Sequence, residues 1–214
     1  MRFILIAAKQ LELAKTRLAN ALPPGERIAL AEAMFRDVLA AAMSAGRSDR
    51  VAVVTSDRTL QELARGAGAL VIDEVFPRGL NAAVALATTA LIPQGADTVC
   101  TVLSDTPLTT ADDIDQVFAT MPAGRGAVLV PSRDFSGTNI ICRSPADVVP
   151  TRFGRMSLLR HLDDCRASDL PAKVLRLAGP ALDLDVMTDL ADFVRAGSAT
   201  YTHNHLARLG IAHH

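Results

Sequence analysis

The chain has 214 residues, 50% of them apolar, 21% charged and 4% aromatic, with no Trp, and its 22 Lys plus Arg nearly balance 23 Asp plus Glu. That length supports one sizeable core rather than two full domains. The balanced charge and scarce aromatics exclude a general nucleic-acid or anionic-membrane surface and the stacking platforms that hold single strands, so any anion site is local.

The opening apolar run, residues 3–8, ends at Lys9 and is too short for a signal-peptide core or a membrane helix. Cys100, Cys142 and Cys165 are odd in number and show no C-x-x-C spacing, which disfavours a disulfide framework or zinc knuckle and fits a reducing cytoplasm. "RFILIA" (2–7), "RVAVVT" (50–55), "ALVID" (69–73), "TVCTVL" (98–103) and "GAVLVP" (126–131) read as strands buried on both faces. Between them, 26–45, 58–66 and 80–91 carry apolar residues at helical spacing, and Thr110 caps a helix with acids in its first turn. Strand and helix alternate, which predicts an α/β fold with a mostly parallel sheet and a ligand crevice at the carboxyl ends of its strands.

After Pro131 the rhythm changes. Residues 132–180 read as an insertion over the strand ends, with a polar loop "SRDFSG", a strand-like "TNIIC", a helix over 154–167 and a strand "KVLRL"; "ALDLDVMTDLADFVRAG" then returns to the sheet with a helix at 187–195. The domain is expected to span 1–197, leaving 198–214 as a weakly patterned tail.

The common nucleotide motifs fail. "KT" at Lys15–Thr16 lacks the glycines of a P-loop, and the one G-x-G, Gly66 to Gly68, follows a helix instead of a strand. Lys9, Lys15 and Arg17 nevertheless follow the first strand, where they form either a polyphosphate clamp or a solvated basic loop. Asp105 stands just past the fourth strand, as a Mg²⁺ ligand or as a turn aspartate. Asp183 and Asp185, two apart in an extended segment, face one side, either as a metal pair or as helix caps. Gly79 and Asn81 precede a helix, and Gly154, Arg155 and Ser157 stand at another helix start that suits a phosphate or carboxylate. His161 packs or caps within its helix, and His203 and His205 lack a third ligand, so none receives a role.

Taken in order, "AKTRL" after the first strand, "GLN" at 79–81, Asp105-x-Pro107, "PSRD..GTN" at 131–139, "FG..S" at 153–157 and "LDLD...DL" at 183–190 resemble the guanylyltransferases of deazaflavin coenzyme (factor 420) biosynthesis over residues 1–195. The resemblance implies a Rossmann-like three-layer α/β/α sandwich, the nucleotidyltransferase fold shared with molybdopterin cytidylyl- and guanylyltransferases. It implies transfer of GMP from GTP to phosphoenolpyruvate, 2-phospho-L-lactate or 3-phosphoglycerate with release of pyrophosphate, using Mg²⁺. By the same resemblance, Lys9, Lys15 and Arg17 contact the GTP phosphates, Gly79 and Asn81 approach the nucleoside, and Thr138, Gly154 and Ser157 hold the acid. Asp105 and Asp185 hold the metal, with Asp183 beside them, and Lys15, Arg17 and Asp105 carry the catalysis. A downstream transferase is implied as a transient partner, and a homodimer is permitted. The chain departs from the family pattern at Thr106, at Phe135, which borders the expected acid pocket, and at Val186–Met187. The competing readings are a related nucleotidyltransferase acting on molybdopterin or another phosphorylated substrate, distinguished by nucleotide preference, and a non-catalytic nucleotide-binding domain, which would bind without releasing pyrophosphate.

Overall fold

A computed structural model describes residues 1–197 and 199–211. Its seven strands are β1 (Arg2–Ala7), β2 (Arg50–Thr55), β3 (Leu70–Asp73), β4 (Thr98–Leu103), β5 (Gly126–Pro131), β6 (Thr138–Ser144) and β7 (Ala172–Val174), and they form one sheet in the order β3-β2-β1-β4-β6-β5-β7. Only β6 runs against the others, pairing antiparallel with both β4 and β5. The helices are α1 (Pro24–Ser44), α2 (Arg58–Gly66), α3 (Leu80–Leu91), α4 (Ala111–Thr120), α5 (Ser157–Ala167), α6 (Ala178–Ala181), α7 (Met187–Ala196) and α8 (Tyr201–Arg208).

Alternation along β1 assigns the layers. Ile4 and Ile6 face a core shared with Leu30, Met34 and Val38 of α1, Leu60 of α2, Ile114 of α4, Phe193 of α7 and Leu206 of α8. Phe3, Leu5 and Ala7 face a second core built with Val84, Ala87 and Leu91 of α3 and Leu158 of α5. Both faces of the sheet are therefore covered, and this is why its central strands lack polar alternation. The result is the three-layer α/β/α sandwich implied by the family resemblance, with the mostly parallel sheet that strand–helix alternation predicts.

Connectivity positions the site. The chain leaves β1 for β2 and β3 on one side, then crosses back to β4 on the other, so the crevice beyond the ends of β1 and β4 is the topological switch point. Ala7 pairs with Leu103 in register, which sets the segments that follow these two strands side by side.

Three expectations change. The insertion expected over 132–180 is in part sheet: β6 lies fully buried between β4 and β5, because its run "TNIIC" can bury both faces only within the sheet. "KVLRL" contributes only to the short edge strand β7. The tail expected at 198–214 contains α8, which Asp37 of α1 anchors by accepting from Tyr201 N (2.7 Å) and Thr202 N (2.9 Å). Ser198 and residues 212–214 of that stretch lie outside the described residues.

Candidate active site

Between β1 and α1 the chain makes two short 3-10 turns, Leu11–Leu13 and Thr16–Leu18, pinned to the core by Leu11 and Leu18. Asp57 fixes this loop from the next strand end: one carboxylate oxygen caps α2 at Leu60 N, and the other accepts from Leu11 N at 2.9 Å. Arg27 of α1 donates to the Ala14 carbonyl at 3.1 Å. Between the turns Lys15 takes a left-handed backbone (φ 53°), a conformation that non-glycine residues keep only where the surroundings enforce it.

Held this way, the Lys15 ammonium sits between two carboxylates from distant parts of the chain. Nζ donates to Asp105 Oδ2 at 2.9 Å and to Asp185 Oδ1 at 3.0 Å, and the side chain is only 5% exposed. Arg17, largely in solvent, reaches Asp185 Oδ2 at 3.4 Å. The segment carrying Asp183 and Asp185 is drawn to the end of β4 by Leu184 N donating to the Asp105 carbonyl. Burial works against the charge on Lys15, but the two carboxylates prevail and hold its pKa above the ordinary value. Burial likewise pushes Asp185 up, and Lys15, Arg17 and Lys9 more than offset it, leaving this carboxyl below the usual range. Asp183, half-buried, is raised by that burial and by the Asp105 charge, with Asn139 Nδ2 at 3.3 Å as its hydrogen-bond donor.

These groups form the seam of two adjoining cavities. One, of about 270 Å³, is lined by Lys9, Lys15, Thr16 and Ser104. The other, of about 600 Å³, is lined by Ser132, Thr138, Gly154, Ser157 and Asp183. Arg17, Leu80, Leu103, Asp105 and Asp185 line both. Of the residues singled out in the sequence, the structure thus brings together Lys9, Lys15, Arg17, Asp105, Asp183, Asp185, Thr138, Gly154 and Ser157. Gly79 and Asn81 flank Leu80 without lining either cavity in this structure. Gly79 turns the chain into α3 at φ 93°, while the Asn81 amide grips the Phe153 backbone, accepting from its N–H at 2.7 Å and donating to its carbonyl at 3.0 Å. Neither Asp185 nor Thr188 caps α7; Asp189 does so from inside the helix, accepting from Asp185 N and Val186 N. Phe135 turns away from the larger cavity and lies against the Arg176 guanidinium, 4.6 Å from its ring centre.

A divalent cation fits the carboxylates on two observations. Asp105 Oδ1 is buried without a hydrogen-bond partner among the described residues, and the available donors are all oxygens, as Mg²⁺ requires.

Reading the sequence missed His161. Fully buried in α5, it joins both walls of the larger cavity: Nδ1 lies 3.1 Å from Thr138 Oγ1, and Nε2 accepts from Arg152 N at 2.7 Å. Burial, aided by the Arg143 guanidinium, pushes its pKa down to about 4. The available signal was its spacing four residues after Ser157, which puts both on one helix face.

Comparison with known proteins agrees with this architecture. A nucleotide-diphospho-sugar transferase of Desulfovibrio desulfuricans superposes with a TM-score of 0.80 at 18% identity, covering 99% of this chain and 96% of that one, a likeness of fold. A phosphoenolpyruvate guanylyltransferase of Sphaerobacter thermophilus is 38% identical over 189 residues, 87% of this chain and 89% of its own. A 3-phospho-D-glycerate guanylyltransferase of Phenylobacterium zucineum is 37% identical (85% and 84% covered), and a 2-phospho-L-lactate guanylyltransferase of Methanothermobacter thermautotrophicus 31% (92% and 85%). The family described as "Guanylyl transferase CofC like" matches residues 1–214, motif loops and sheet alike, and the chain belongs to that family.

Proposed function

We propose that this protein transfers GMP from GTP to a small phosphorylated three-carbon acid and releases pyrophosphate. The observation that carries the reading is the pair of cavities meeting at Asp105 and Asp185, one holding Lys9, Lys15 and Arg17 on an otherwise largely apolar wall and the other holding Thr138, Ser157, Arg133, Arg155 and a helix start beside further carboxylates. Such a site holds two anions end to end. The similar guanylyltransferases act on three different acids that share a phosphate and a carboxylate on a three-carbon frame.

The chemistry needs no side-chain nucleophile. The acid's phosphate monoester, with a second pKa of about 6, is largely dianionic at neutral pH and attacks the α-phosphorus of GTP without a general base. A P–O bond forms to the attacking oxygen as the bond to the β-phosphate oxygen breaks, and pyrophosphate departs with the electron pair. In this reading Lys9, Lys15 and Arg17 neutralise the polyphosphate, and Thr138, Ser157 and the Gly154 backbone orient the acid. Asp105 and Asp185, with Asp183 beside them, would hold Mg²⁺, which supplies charge neutralisation between the two substrates. The product is a mixed diphosphate, whose activated linkage suits uptake by a downstream transferase. Free thiols at Cys100, Cys142 and Cys165 suit the cytoplasm as the site of action, and among the described residues no helix is long and apolar enough to cross a membrane.

The test is pyrophosphate release with Mg²⁺ and either GTP or CTP against phosphoenolpyruvate, 2-phospho-L-lactate and 3-phosphoglycerate separately, with a downstream transferase drawing off product. Release with GTP and one acid is expected and names the substrate. Preference for CTP, or nucleotide binding without release, would refute the reading.

A further inference from the structure

Thr138 and the segment leading into α5 form opposite walls of the larger cavity, and one buried imidazole joins them. The hydrogen bond to Arg152 fixes the polarity of that link. A backbone N–H only donates, so Nε2 of His161 must accept, and in the neutral ring the single proton then resides on Nδ1. The opposite tautomer would set two N–H groups against each other across 2.7 Å. Nδ1–H therefore donates to Thr138 Oγ1 at 3.1 Å. Among the described residues Thr138 Oγ1 has no other hydrogen-bond partner, so its own hydrogen is left to donate into the cavity it lines. Phe153, which meets the imidazole edge to face with ring centres 5.5 Å apart, limits rotation of the ring.

We propose that His161 is a positioning residue of the acid-binding cavity: by donating to Thr138 it commits that hydroxyl to donate to an anionic oxygen of the phosphorylated acid, while its other nitrogen holds the Arg152 end of the segment carrying Gly154 and Ser157. The inference rests on the guanylyltransferase reading for the identity of the acid; the direction of the hydrogen bonds does not depend on it. His161 touches no substrate and acts through Thr138.

Two measurements test it. In the unliganded wild-type protein, long-range ¹H–¹⁵N correlation of the His161 ring is expected to show the Nδ1–H tautomer; the Nε2–H tautomer would overturn the proposal. Steady-state kinetics then compare His161→Phe, His161→Gln, Thr138→Val and the double variant His161→Phe/Thr138→Val. Losing a hydrogen bond to a charged group is expected to raise the KM for the acid about ten- to hundredfold in His161→Phe, with the KM for GTP within about twofold. Gln, which offers a donor and an acceptor on neighbouring atoms, is expected to restore most of the loss. In the Thr138→Val background the same His161→Phe change should have little further effect, because the hydroxyl it orients is gone. Equal losses in both backgrounds, or parallel rises in the KM for GTP and for the acid, would mean that His161 merely holds the fold, and would overturn the proposal. Absence of pyrophosphate release by the wild type with any acid would be the failure of the guanylyltransferase reading. In that case the spectrum, which needs no substrate, decides the inference: Nδ1–H sustains it and Nε2–H overturns it.

Discussion

Lys15 and Arg17 are two residues apart and have different tasks. The Lys15 side chain is 5% exposed and bridges two carboxylates, whereas that of Arg17 is 73% exposed and touches one of them at its outer edge. An exposed guanidinium adds little to stability, so Arg17→Ala is expected to leave the melting temperature unchanged while raising the KM for GTP about tenfold, the value of one screened phosphate contact. In the proposed reaction Lys15→Ala removes a buried charge from the place where charge develops, and it is expected to lower kcat about 10²- to 10³-fold. Thermal melts beside steady-state kinetics on both variants check the contrast, and equal losses would refute it. His161 makes a different kind of contribution. Its native pKa of about 4 lies below the ordinary 6.5, so between those values the unfolded chain binds a proton that the native state refuses. Stability from this group is therefore fully present above pH 6.5 and is lost as pH falls toward 4, with a slope of at most about 1.4 kcal/mol per pH unit. Denaturant melts at pH 7 and pH 4.5 are expected to show His161→Gln losing about 2 kcal/mol less than the wild type over that interval.

At the scale of elements, the Asn81 side chain ties α3 to the end of the segment before α5. Asn81 bonds both backbone groups of Phe153, next to Gly154, so Asn81→Ala is expected to loosen the acid cavity and raise the KM for the acid about tenfold while barely moving that for GTP. A rise in the KM for GTP alone would return Asn81 to the nucleoside contact implied by family resemblance. This link is not legible in the sequence, because it joins residues 72 apart through an amide with no motif of its own. β1, β2, β4 and β5 are legible because strands buried on both faces leave short apolar runs; β3 is a strand as read, but at the sheet edge and only half-buried; α4 is legible because Thr110 and Asp113 form a capping box. β6 is seen as a strand but misplaced: its short run follows the polar loop "SRDFSG" and so reads as part of an insertion, and its pairing with β4 and β5 is what puts it inside the sheet. The start of α5 is read too early because Gly154 at φ 117° and Met156 at φ 56° keep the chain out of helix until Ser157.

The whole molecule explains why the charged residues of the site can be read and its hydrogen bonds cannot. Lys15 and Asp105 lie in the segments that follow β1 and β4 at a topological switch point, and Asp185 belongs to the "LDLD" run between α6 and α7, whereas His161 and Asn81 act through tertiary contacts that sequence spacing does not encode. The same holds for the end of the chain, where α8 depends on a carboxylate far away on α1. Asp37, only 8% exposed, accepts the first two N–H groups of α8, Thr200 caps the third turn position at His203 N, and Leu206 enters the core beneath. Asp37→Ala strands those two backbone donors and is expected to cost about 2 kcal/mol, or about 4–8 °C in melting temperature for a chain of this size. Hydrogen exchange should then show α8 opening while β1 and β4 stay protected. Since no described residue of α8 lines either cavity, kcat and both KM values should stay within about twofold of the wild type. Loss of activity in step with loss of α8 protection would instead make the C-terminal helix a working part of the site, coupled to the Lys15 loop through α1, which Arg27 joins to Ala14.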